Sequence, residues 1–530
     1  MDQTALERFQ MHGQDIPWLL SHWAENKPDH PALVWSPRSG SGRSWSYSQL
    51  QSDVRRVAAG LAAKGVKPGE RVLIHAENCP EMVLAWLGCA ALGAVGVTTN
   101  TKSVGDEMTY FAEHTRAVAA ITQPQYAAMV NEAAPGLRWI AVTGDNAGEE
   151  ATAEQREAAS GFESFDTLLG DAESFQWREP DPMLPFGIMF TSGTTSRPKA
   201  VIHTHANAVW ASRTGPRNID LTTDDSYLIY LPFFHVNAQS WSFFSVLGVG
   251  ATAALMPKWS QSRFWPVVVD NGVTHISAMP FVMGCLGDPN RPKDHRLRVG
   301  VFGMVLPDLD RMFGIGLYAA FGMTETVTHA VTAKPSECLP ARSMGHVTPG
   351  YEIAVVDKET GALCGEGETG ELWLRGTRGI QLFLEYSDNP EANEKAFHDG
   401  WFKTGDMVTM SAGGNVFYQE RDKDLLKVGG ENVSAKEVED VIGLHPAVAS
   451  SAVVGKTDDF LGEVPVAFVI PSPGDHDQDA AAKEIIDSCS EKLASFKVPR
   501  SVYFVEAFPT GTLDKILKNK LREMADARDS

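Results

Sequence analysis

The chain of 530 residues lacks paired cysteines, an excess of basic residues and any long apolar run. Its six cysteines are scattered and form no Cys-x-x-Cys pair, which argues against a disulfide framework or a zinc ribbon. Asp and Glu outnumber Lys and Arg by 67 to 46, giving a formal charge of −21. Nucleic acids and anionic membranes bind through clustered Lys and Arg, so we expect neither as a partner.

Hydrophobicity is spread along the chain. The most apolar stretch, residues 243–256, is too short to span a bilayer and contains Ser245 and Thr252, so it is predicted to be buried core. The amino-terminal sequence MDQTALERFQ is polar and has no signal-peptide pattern. We therefore expect a soluble, cytoplasmic protein without a membrane span.

The pattern of apolar residues in the first half of the chain predicts an α/β fold. Ser48 is expected to open an amphipathic helix, followed by a strand at 71–75, a helix at 80–92 and a strand at 94–98. Helices and strands that alternate at this spacing predict parallel α/β units. Residues 143–182 are rich in Glu, Asp, Ala and Gly, and we expect a solvated surface connection there.

The last hundred residues have a different pattern. Ser434 and Glu437 predict a capping box at the start of a helix. Strands are expected at 447–454, 464–470 and 502–505, with a helix at 480–493. This segment can form its own small α+β core, with a boundary in the polar stretch 420–424.

A loop rich in hydroxyl groups follows the apolar strand 186–190. It reads TSGTTSRPK over residues 191–199, with five hydroxyl side chains and one glycine before Lys199. Hydroxyls and backbone N–H groups can surround phosphate oxygens, and the lysine adds charge. It is not a Walker A loop, because no second glycine precedes the lysine. An ordinary Ser/Thr-rich hairpin turn remains an alternative from composition alone.

This loop resembles the phosphate-binding signature TSGTTGxPKG of the adenylate-forming superfamily, with Ser196 and Ala200 where glycines are usual. Four further stretches follow in the order of that superfamily. Residues 321–326 (FGMTET) resemble the Y-G-x-T-E motif, and 401–406 (WFKTGD) resemble G-W-x-x-T-G-D. Residues 421–432 resemble its hinge and glycine loop, and 509–515 resemble its catalytic-lysine loop. The resemblance covers about residues 20–525 and points to AMP-forming acyl-CoA synthetases.

The resemblance implies a fold and a two-step reaction. We expect a large multi-subdomain α/β domain over residues 1–422 and a small mobile α+β lid over 423–530. A carboxylic acid would attack the α-phosphate of ATP, and coenzyme A would then displace AMP. The resemblance implies that Lys515 bridges both anions, that Thr324 contacts the α-phosphate and that Glu325 holds Mg²⁺. Asp514 stands where glycine is common.

The resemblance also assigns residues to each ligand. ATP or AMP would contact Thr191, Ser192, Gly193, Thr194, Thr195, Lys199, Gly303, Phe321, Gly322, Thr324, Asp406 and Arg421. The acyl group would contact His235, Val236, Ala278, Met279, Met304, Gly322 and Met323. Coenzyme A would contact Gly429, Gly430, Glu431 and Phe496, and the lid would rotate about Lys423.

Several alternatives remain open. His235, in the segment LPFFHV, is expected to act in catalysis beside the acyl group, or else to be a core histidine bonded to a backbone carbonyl. It replaces the aspartate usual in amino-acid adenylation domains, which disfavours an amino-acid substrate. The later motifs look most like carnitine-type, medium-chain and aryl ligases. One alternative is an adenylating enzyme that uses a carrier protein as acceptor or oxidises its adenylate, and the other is a non-catalytic nucleotide-binding homologue.

Two further expectations complete the sequence-based account. A homodimer is expected as the oligomeric state. The segment between Pro307 and Phe321 is shorter than in similar enzymes, so one helix there should be shortened or lost.

Overall fold

A computed structural model describes residues 3–103, 105–191, 198–421, 426–428, 431–458, 461–474, 477–493, 495–511 and 516–528. Packing divides the chain into two compact units. The first contains Met1–Thr191, Pro198–Glu352 and Arg375–Trp401, and the second contains Ile353–Leu374 and Phe402–Ser530. The predicted division at 422/423 concerns a moving body and stays a prediction.

The strands are numbered in chain order. The first sixteen are β1 Pro31–Trp35, β2 Arg43–Ser46, β3 Arg71–His75, β4 Val95–Thr98, β5 Ala117–Thr122, β6 Ile140–Val142, β7 Glu163–Ser164, β8 Pro185–Phe190, β9 Ala200–Thr204, β10 Ser226–Ile229, β11 Thr252–Leu255, β12 His275–Ser277, β13 Val299–Phe302, β14 Gly316–Phe321, β15 Val331–Ala333 and β16 His346–Val347. The others are β17 Glu352–Val356, β18 Gly370–Arg375, β19 Glu385–Tyr386, β20 Phe397–His398, β21 Trp401–Met410, β22 Val416–Arg421, β23 Leu426–Val428, β24 Glu431–Val433, β25 Val448–Asp458, β26 Gly462–Pro471 and β27 Ser501–Phe504.

The α-helices are numbered in the same way. They are α1 Gln3–Arg8, α2 Ile16–Asn26, α3 Tyr47–Ala63, α4 Pro80–Leu92, α5 Gly105–Thr115, α6 Ala127–Ala133, α7 Ala153–Ala159, α8 His205–Asn218, α9 Phe244–Val249, α10 Gln261–Asp270, α11 Met283–Leu286, α12 Pro307–Phe313, α13 Pro390–Ala396, α14 Ala435–Ile442, α15 Gln478–Lys492 and α16 Lys518–Ala527. A π-helix, Asn237–Phe243, directly precedes α9.

Two mostly parallel sheets organise the first unit. One has the order β16-β15-β14-β13-β12-β10-β11-β1-β2, and its six strands from β14 to β1 run parallel. The other has the order β19-β9-β8-β4-β3-β5-β6-β7, and its strands from β8 to β7 run parallel. Parallel strands joined through helices confirm the predicted α/β class.

The first helices show how the sequence encodes this unit. Helix α4 begins at Pro80, whose fixed φ suits the first helical position, and it is buried almost all round, in keeping with its apolar sequence. Helix α3 begins at Tyr47, so the expectation that Ser48 opens it was wrong. Ser46 is the N-cap instead, because its side chain and that of Gln49 form a reciprocal capping box.

The acidic segment 143–182 is more than a surface connection, so that prediction was wrong. It forms α7 and the edge strand β7, which pairs with β6. Phe165 and Leu168, on the 3₁₀ turn after β7, are buried in the main hydrophobic core of the first unit. A β-carbon at Gly60 would lie 2.0 Å from the Leu168 carbonyl oxygen, so α3 packs directly on this turn.

The second unit contains two sheets. In one, β18 lies between β17 and β21, and β22 pairs with β21. The other has the order β24-β23-β26-β25, with β27 parallel to β26. Ser434 caps α14 by accepting from Glu437 N, but the Glu437 carboxylate pairs with Lys497 instead. Only half of the predicted capping box therefore forms.

The structure also bears on the predictions for the apolar stretch and for the cysteines. Residues 243–256 end the π-helix and form α9 and β11, largely within the core as predicted. Across the described ranges, no helix is long and apolar enough to cross a membrane. All six cysteines are free; Cys338 is exposed and Cys364 is partly exposed, while the other four are buried.

Candidate active site

One sheet edge gathers most of the predicted acyl-site residues. Strands β14, β13, β12 and β10 are successive parallel neighbours, so their carboxyl ends meet at one edge. The predicted residues follow these ends: His235 and Val236 after β10, Ala278 and Met279 after β12, Gly303 and Met304 after β13, and Gly322 and Met323 after β14. Ligands of open α/β sheets bind outside the carboxyl ends of the strands.

The segment between Gly303 and Phe321 retains one helix. Helix α12, Pro307–Phe313, has seven residues and is followed directly by β14. That this segment is shorter than in similar enzymes stays a prediction.

The described ends of the phosphate-loop segment are joined to each other. Thr191 N donates to the carbonyl oxygen of Lys199 at 3.0 Å, and Lys199 N donates to Thr191 Oγ1 at 3.2 Å. The predicted contacts Ser192, Gly193, Thr194 and Thr195 lie outside the described residues. The strands on either side, β8 and β9, are antiparallel neighbours.

A single turn after β14 presents Thr324 and Glu325. Residues Thr324–Thr326 form a 3₁₀ turn, and Met323 N donates to Thr326 Oγ1 at 2.9 Å. His203 on β9 donates from Nε2 to the Thr324 carbonyl oxygen at 2.8 Å. This contact ties the turn to the strand that follows Lys199.

Tyr386 joins two predicted nucleotide-site residues. Its hydroxyl donates to Glu325 Oε1 at 2.8 Å, and its ring centroid lies 4.6 Å from Lys199 Nζ. Phe383 N donates to the Glu325 carbonyl oxygen at 2.8 Å, which fixes the backbone as well. The structure therefore brings Lys199 and Glu325 together around one tyrosine, with Thr324 next to Glu325 on the same turn.

The turn is backed by a strained residue. Val327 has φ 65° and ψ −59°, and Thr328 N donates to the Thr326 carbonyl oxygen at 2.6 Å, which closes a γ-turn. This hand of γ-turn is rare, and a β-branched residue at positive φ is strained. Such strain is retained where the surrounding structure fixes it, often beside functional groups.

The donor set of this turn suits Mg²⁺. Glu325 is 4% exposed and offers a carboxylate, and magnesium prefers oxygen ligands. Within the described part of the chain, no group of three or more His, Cys, Asp or Glu side chains is arranged to hold a metal. Mg²⁺ is commonly held by one or two carboxylates together with substrate phosphates, and Glu325 offers one such carboxylate.

His235 lies just before the π-helix, and one of its ring nitrogens is buried without a partner. Its Nε2 is buried and has no hydrogen-bond partner among the described residues. Burial lowers the pKa of His235 to about 4, so the ring is neutral near pH 7. The predicted bond of a core histidine to a backbone carbonyl is therefore not made through Nε2.

The second unit carries the other predicted residues. Asp406 on β21 lies opposite Arg421 on β22 in the antiparallel register, and Asp406 N donates to Thr404 Oγ1 at 3.1 Å. Phe496, in a 3₁₀ turn, packs against the core of the carboxyl-terminal sheet. Glu431 begins β24. Lys423, Gly429, Gly430 and Lys515 lie outside the described residues, as do the side chains of Arg421 and Glu431.

Sequence reasoning missed four residues near this site. Tyr386 and His203 make the contacts described above, while Trp241 and His329 have rings whose centroids lie 4.6 Å apart. None belongs to the quoted motifs. For His329, the sequence signal that could have indicated a site residue was its position four residues after Glu325.

Comparison with known proteins agrees with this geometry. The family described as AMP-binding enzyme matches residues 20–386, and its C-terminal domain matches residues 437–515. The chain belongs to this family. The recognition made from the motifs and the acyl-CoA synthetase-like fold class are both confirmed.

Individual relatives cover nearly the whole chain. The crotonobetaine/carnitine–CoA ligase of Salmonella typhimurium is 31% identical over 527 residues, covering 96% of this chain and 99% of that protein. ATP-bound MatB from Rhodopseudomonas palustris has a TM-score of 0.82 at 26% identity, covering 96% of this chain and 99% of its own. O-succinylbenzoate coenzyme A synthetase (MenE) from Bacillus subtilis, in complex with ATP and magnesium ion, has a TM-score of 0.79 at 27% identity, with coverages of 95% and 98%.

Proposed function

We propose that the protein is an AMP-forming acid–CoA ligase that activates a carboxylic acid with ATP and transfers the acyl group to coenzyme A. One observation carries the proposal: Tyr386 joins Lys199 and Glu325 at the edge where the strands end. This arrangement puts a cation and a carboxylate beside the same site. The names of two of these relatives, a CoA ligase and a coenzyme A synthetase, support the same reaction class.

In the first half-reaction, an oxygen of the carboxylic acid attacks the α-phosphorus of ATP. The bond from that phosphorus to the bridging oxygen breaks, and pyrophosphate leaves. Both reactants are anions, so catalysis must hold them in line and offset their charge. We assign this to Lys515 and Lys199, with Thr324 donating to the α-phosphate. Glu325 would hold Mg²⁺, which supplies further charge neutralisation when bound.

Other residues would bind the rest of the nucleotide. Phe321 would cover the adenine, with the Gly303 backbone beside it. Asp406 would accept from the ribose hydroxyls, and Arg421 would reach the ribose or phosphates. A buried carboxylate such as Asp406, 2% exposed, suits a fixed hydrogen-bonding role.

In the second half-reaction, the thiol of coenzyme A attacks the acyl carbon and AMP leaves. We propose that residues 423–530 rotate about Lys423 between the two steps and withdraw Lys515. Gly429, Gly430, Glu431 and Phe496 would then line the path of the thiol. One site thereby serves two reactions in turn.

The acyl pocket would be formed by the residues at the strand ends. His235 is neutral by burial and carries no fixed negative charge, so it offers no counter-charge to the ammonium group of an amino acid. This supports a simple carboxylic acid as substrate. A homodimer and a cytoplasmic location remain predictions.

The direct test is a panel of carboxylic acids read by CoA-dependent AMP release. The panel should contain short, medium-chain, aryl and carnitine-like acids, each with and without coenzyme A. We expect at least one acid to give AMP and a thioester together. Accumulation of acyl-AMP with no thioester would favour a carrier-protein acceptor. Nucleotide binding without acid-dependent pyrophosphate release would favour a non-catalytic homologue.

A further inference from the structure

A group of buried polar atoms near the end of β14 has no hydrogen-bond partner. The atoms are Trp241 Nε1, Thr328 Oγ1 and both ring nitrogens of His329, and none is bonded to another described residue. His329 is wholly buried. The edge of one ring faces the other, with the centroids of Trp241 and His329 4.6 Å apart.

These atoms lie beside the predicted acyl pocket. Trp241 belongs to the π-helix that follows His235, and π-helical turns are frequent at functional sites. A β-carbon added at Gly322 would lie 2.8 Å from Trp241 Cζ2 and 2.6 Å from the Thr328 carbonyl oxygen. The indole is therefore packed directly against the backbone of a predicted pocket residue.

Such a cluster needs an explanation. Nearly all buried polar groups in proteins are paired, and leaving one unpaired is costly. His275, on β12, shows the ordinary arrangement in this unit, with Nε2 bonded to the Ile219 carbonyl oxygen at 3.0 Å and Nδ1 to Thr274 Oγ1 at 2.8 Å. The unpaired atoms of Trp241 and His329 are suited to a partner that arrives with the substrate.

The chemistry of these side chains restricts that partner. Burial lowers the pKa of His329 to about 3, so its ring is neutral and offers one donor and one acceptor. The Trp241 indole offers a donor only. No charged side chain in the described ranges bonds to either ring. A charged ligand group here would be buried without a counter-charge, which is strongly unfavourable.

We propose that Trp241 and His329 bind an uncharged hydrogen-bonding group on the acyl chain, a hydroxyl or a carbonyl oxygen. The substrates would then be hydroxy, oxo or amide-bearing carboxylic acids rather than plain hydrocarbon acids. The inference rests on the proposed function, because it assigns the substrate class of the same pocket.

The test compares acids in matched pairs. The substrates are straight-chain acids of increasing length, each either unsubstituted or carrying a terminal hydroxyl, a terminal amide, a second carboxylate or a trimethylammonium group. For each acid, kcat/KM is measured from CoA-dependent AMP release. At the preferred length, the hydroxy or amide acid should exceed its unsubstituted partner by about 10-fold or more, because a site built for a hydrogen bond rejects the analogue that lacks it. Equal rates for the pair, or preference for a charged acid, would overturn the proposal.

Two variants locate the preference. In His329→Phe and Trp241→Phe, the ratio of kcat/KM between the polar acid and the unsubstituted acid should fall towards one. A ratio unchanged in both variants would overturn the assignment of these residues.

The melting temperature tests whether His329 is unpaired, without an activity assay. His329→Phe should keep or raise the melting temperature without ligand, because it removes nitrogens that have no partners. The matched control His275→Phe removes two existing hydrogen bonds and should lower it. Equal losses would show that His329 is already paired and would overturn the inference. If no acid of any kind is activated, the proposed function fails, and this comparison still decides the state of His329.

Discussion

Tyr386 donates its hydroxyl to Glu325 Oε1 at 2.8 Å while its ring lies 4.6 Å from Lys199 Nζ. The tyrosine therefore orients the carboxylate proposed to hold magnesium and packs beneath the lysine proposed to bind phosphate. Groups that orient a metal ligand commonly affect metal affinity or activity by 10- to 100-fold.

Tyr386→Phe should therefore weaken the dependence on magnesium. We expect the Mg²⁺ concentration for half-maximal adenylation to rise about 10-fold or more, since the carboxylate loses its positioning donor while the aromatic ring remains. Adenylation is measured by ATP–pyrophosphate exchange across a magnesium titration.

The matched control is Tyr47→Phe. Tyr47 is also buried and donates to the Ala251 carbonyl oxygen at 2.7 Å, but it belongs to α3, and its hydroxyl bonds to Ala251 rather than to Glu325. It should lower stability without changing the magnesium titration. The same shift in both variants would contradict a specific role for Tyr386.

Gly322→Ala should damage the acyl site. The added β-carbon would lie 2.6 Å from the Thr328 carbonyl oxygen and 2.8 Å from Trp241, so the backbone or the indole must move. Overpacking of this kind costs about 1–3 kcal/mol. Denaturant unfolding and kcat/KM measure the two effects.

Gly136→Ala provides the comparison for that change. No atom lies within 4 Å of a β-carbon added at position 136, and the residue has no positive φ. We expect its unfolding free energy to match the wild type within about 0.5 kcal/mol. An equally stable Gly322→Ala variant would contradict the close packing at β14.

Acid should destabilise the fold through its buried histidines. Burial lowers the pKa of a set of them to about 4 or below: His75, His203, His235, His275 and His329. An unfolded histidine titrates near pH 6.5, so below that pH the unfolded chain binds protons that the folded chain does not. Above about pH 6.5 these histidines therefore do not reduce the free energy of unfolding, and this free energy declines as the pH falls towards about 4.

The contribution of one histidine can be isolated. Each such group changes the free energy of unfolding by at most about 1.4 kcal/mol per pH unit. His329→Phe should reduce the loss of unfolding free energy between pH 7.5 and pH 5 by the contribution of this one histidine. Denaturant unfolding at both pH values measures that loss. An identical loss in wild type and variant would show that His329 is protonated in the folded protein.

The division of labour between the two half-reactions is tested with two lysines outside the described residues. Lys515→Ala should slow adenylation by about 10²–10³-fold, comparable to losing one preorganised charge-stabilising group, while sparing thioester formation from supplied acyl-AMP. Lys423→Pro should do the reverse, because proline locks φ at the proposed hinge.

Lys520→Ala, at an exposed position on α16, serves as the control and should leave both half-reactions unchanged. If Lys515→Ala impaired both half-reactions equally, its assigned role would be refuted. Thioester formation at the normal rate in Lys423→Pro would remove that residue from the hinge.

Much of the fold could be predicted from local pattern. Strand β3 and helix α4 have the predicted bounds, since an apolar run and a helix starting at proline are strong local signals. The burial of Phe165 and Leu168 was not predicted, because the acidic residues around them indicated exposure to solvent. Their burial depends on close packing against Gly60, which is far away in the sequence.

The site was predictable only in part for a similar reason. Glu325 and Lys199 lie in motifs, and the structure places them together. Tyr386 and His203 reach the same turn across 61 and 121 residues of sequence, respectively. No local spacing encodes such contacts, and the unpaired state of His329 depends on packing from another element.

The most direct test of the central claim is a single-turnover experiment with labelled ATP and an acid that the panel identifies. Before coenzyme A is added, the account predicts equal amounts of enzyme-bound acyl-AMP and released pyrophosphate. After the addition, it predicts acyl-CoA and AMP in equal amounts. Formation of ADP and phosphate, or an adenylate that coenzyme A never consumes, would contradict it.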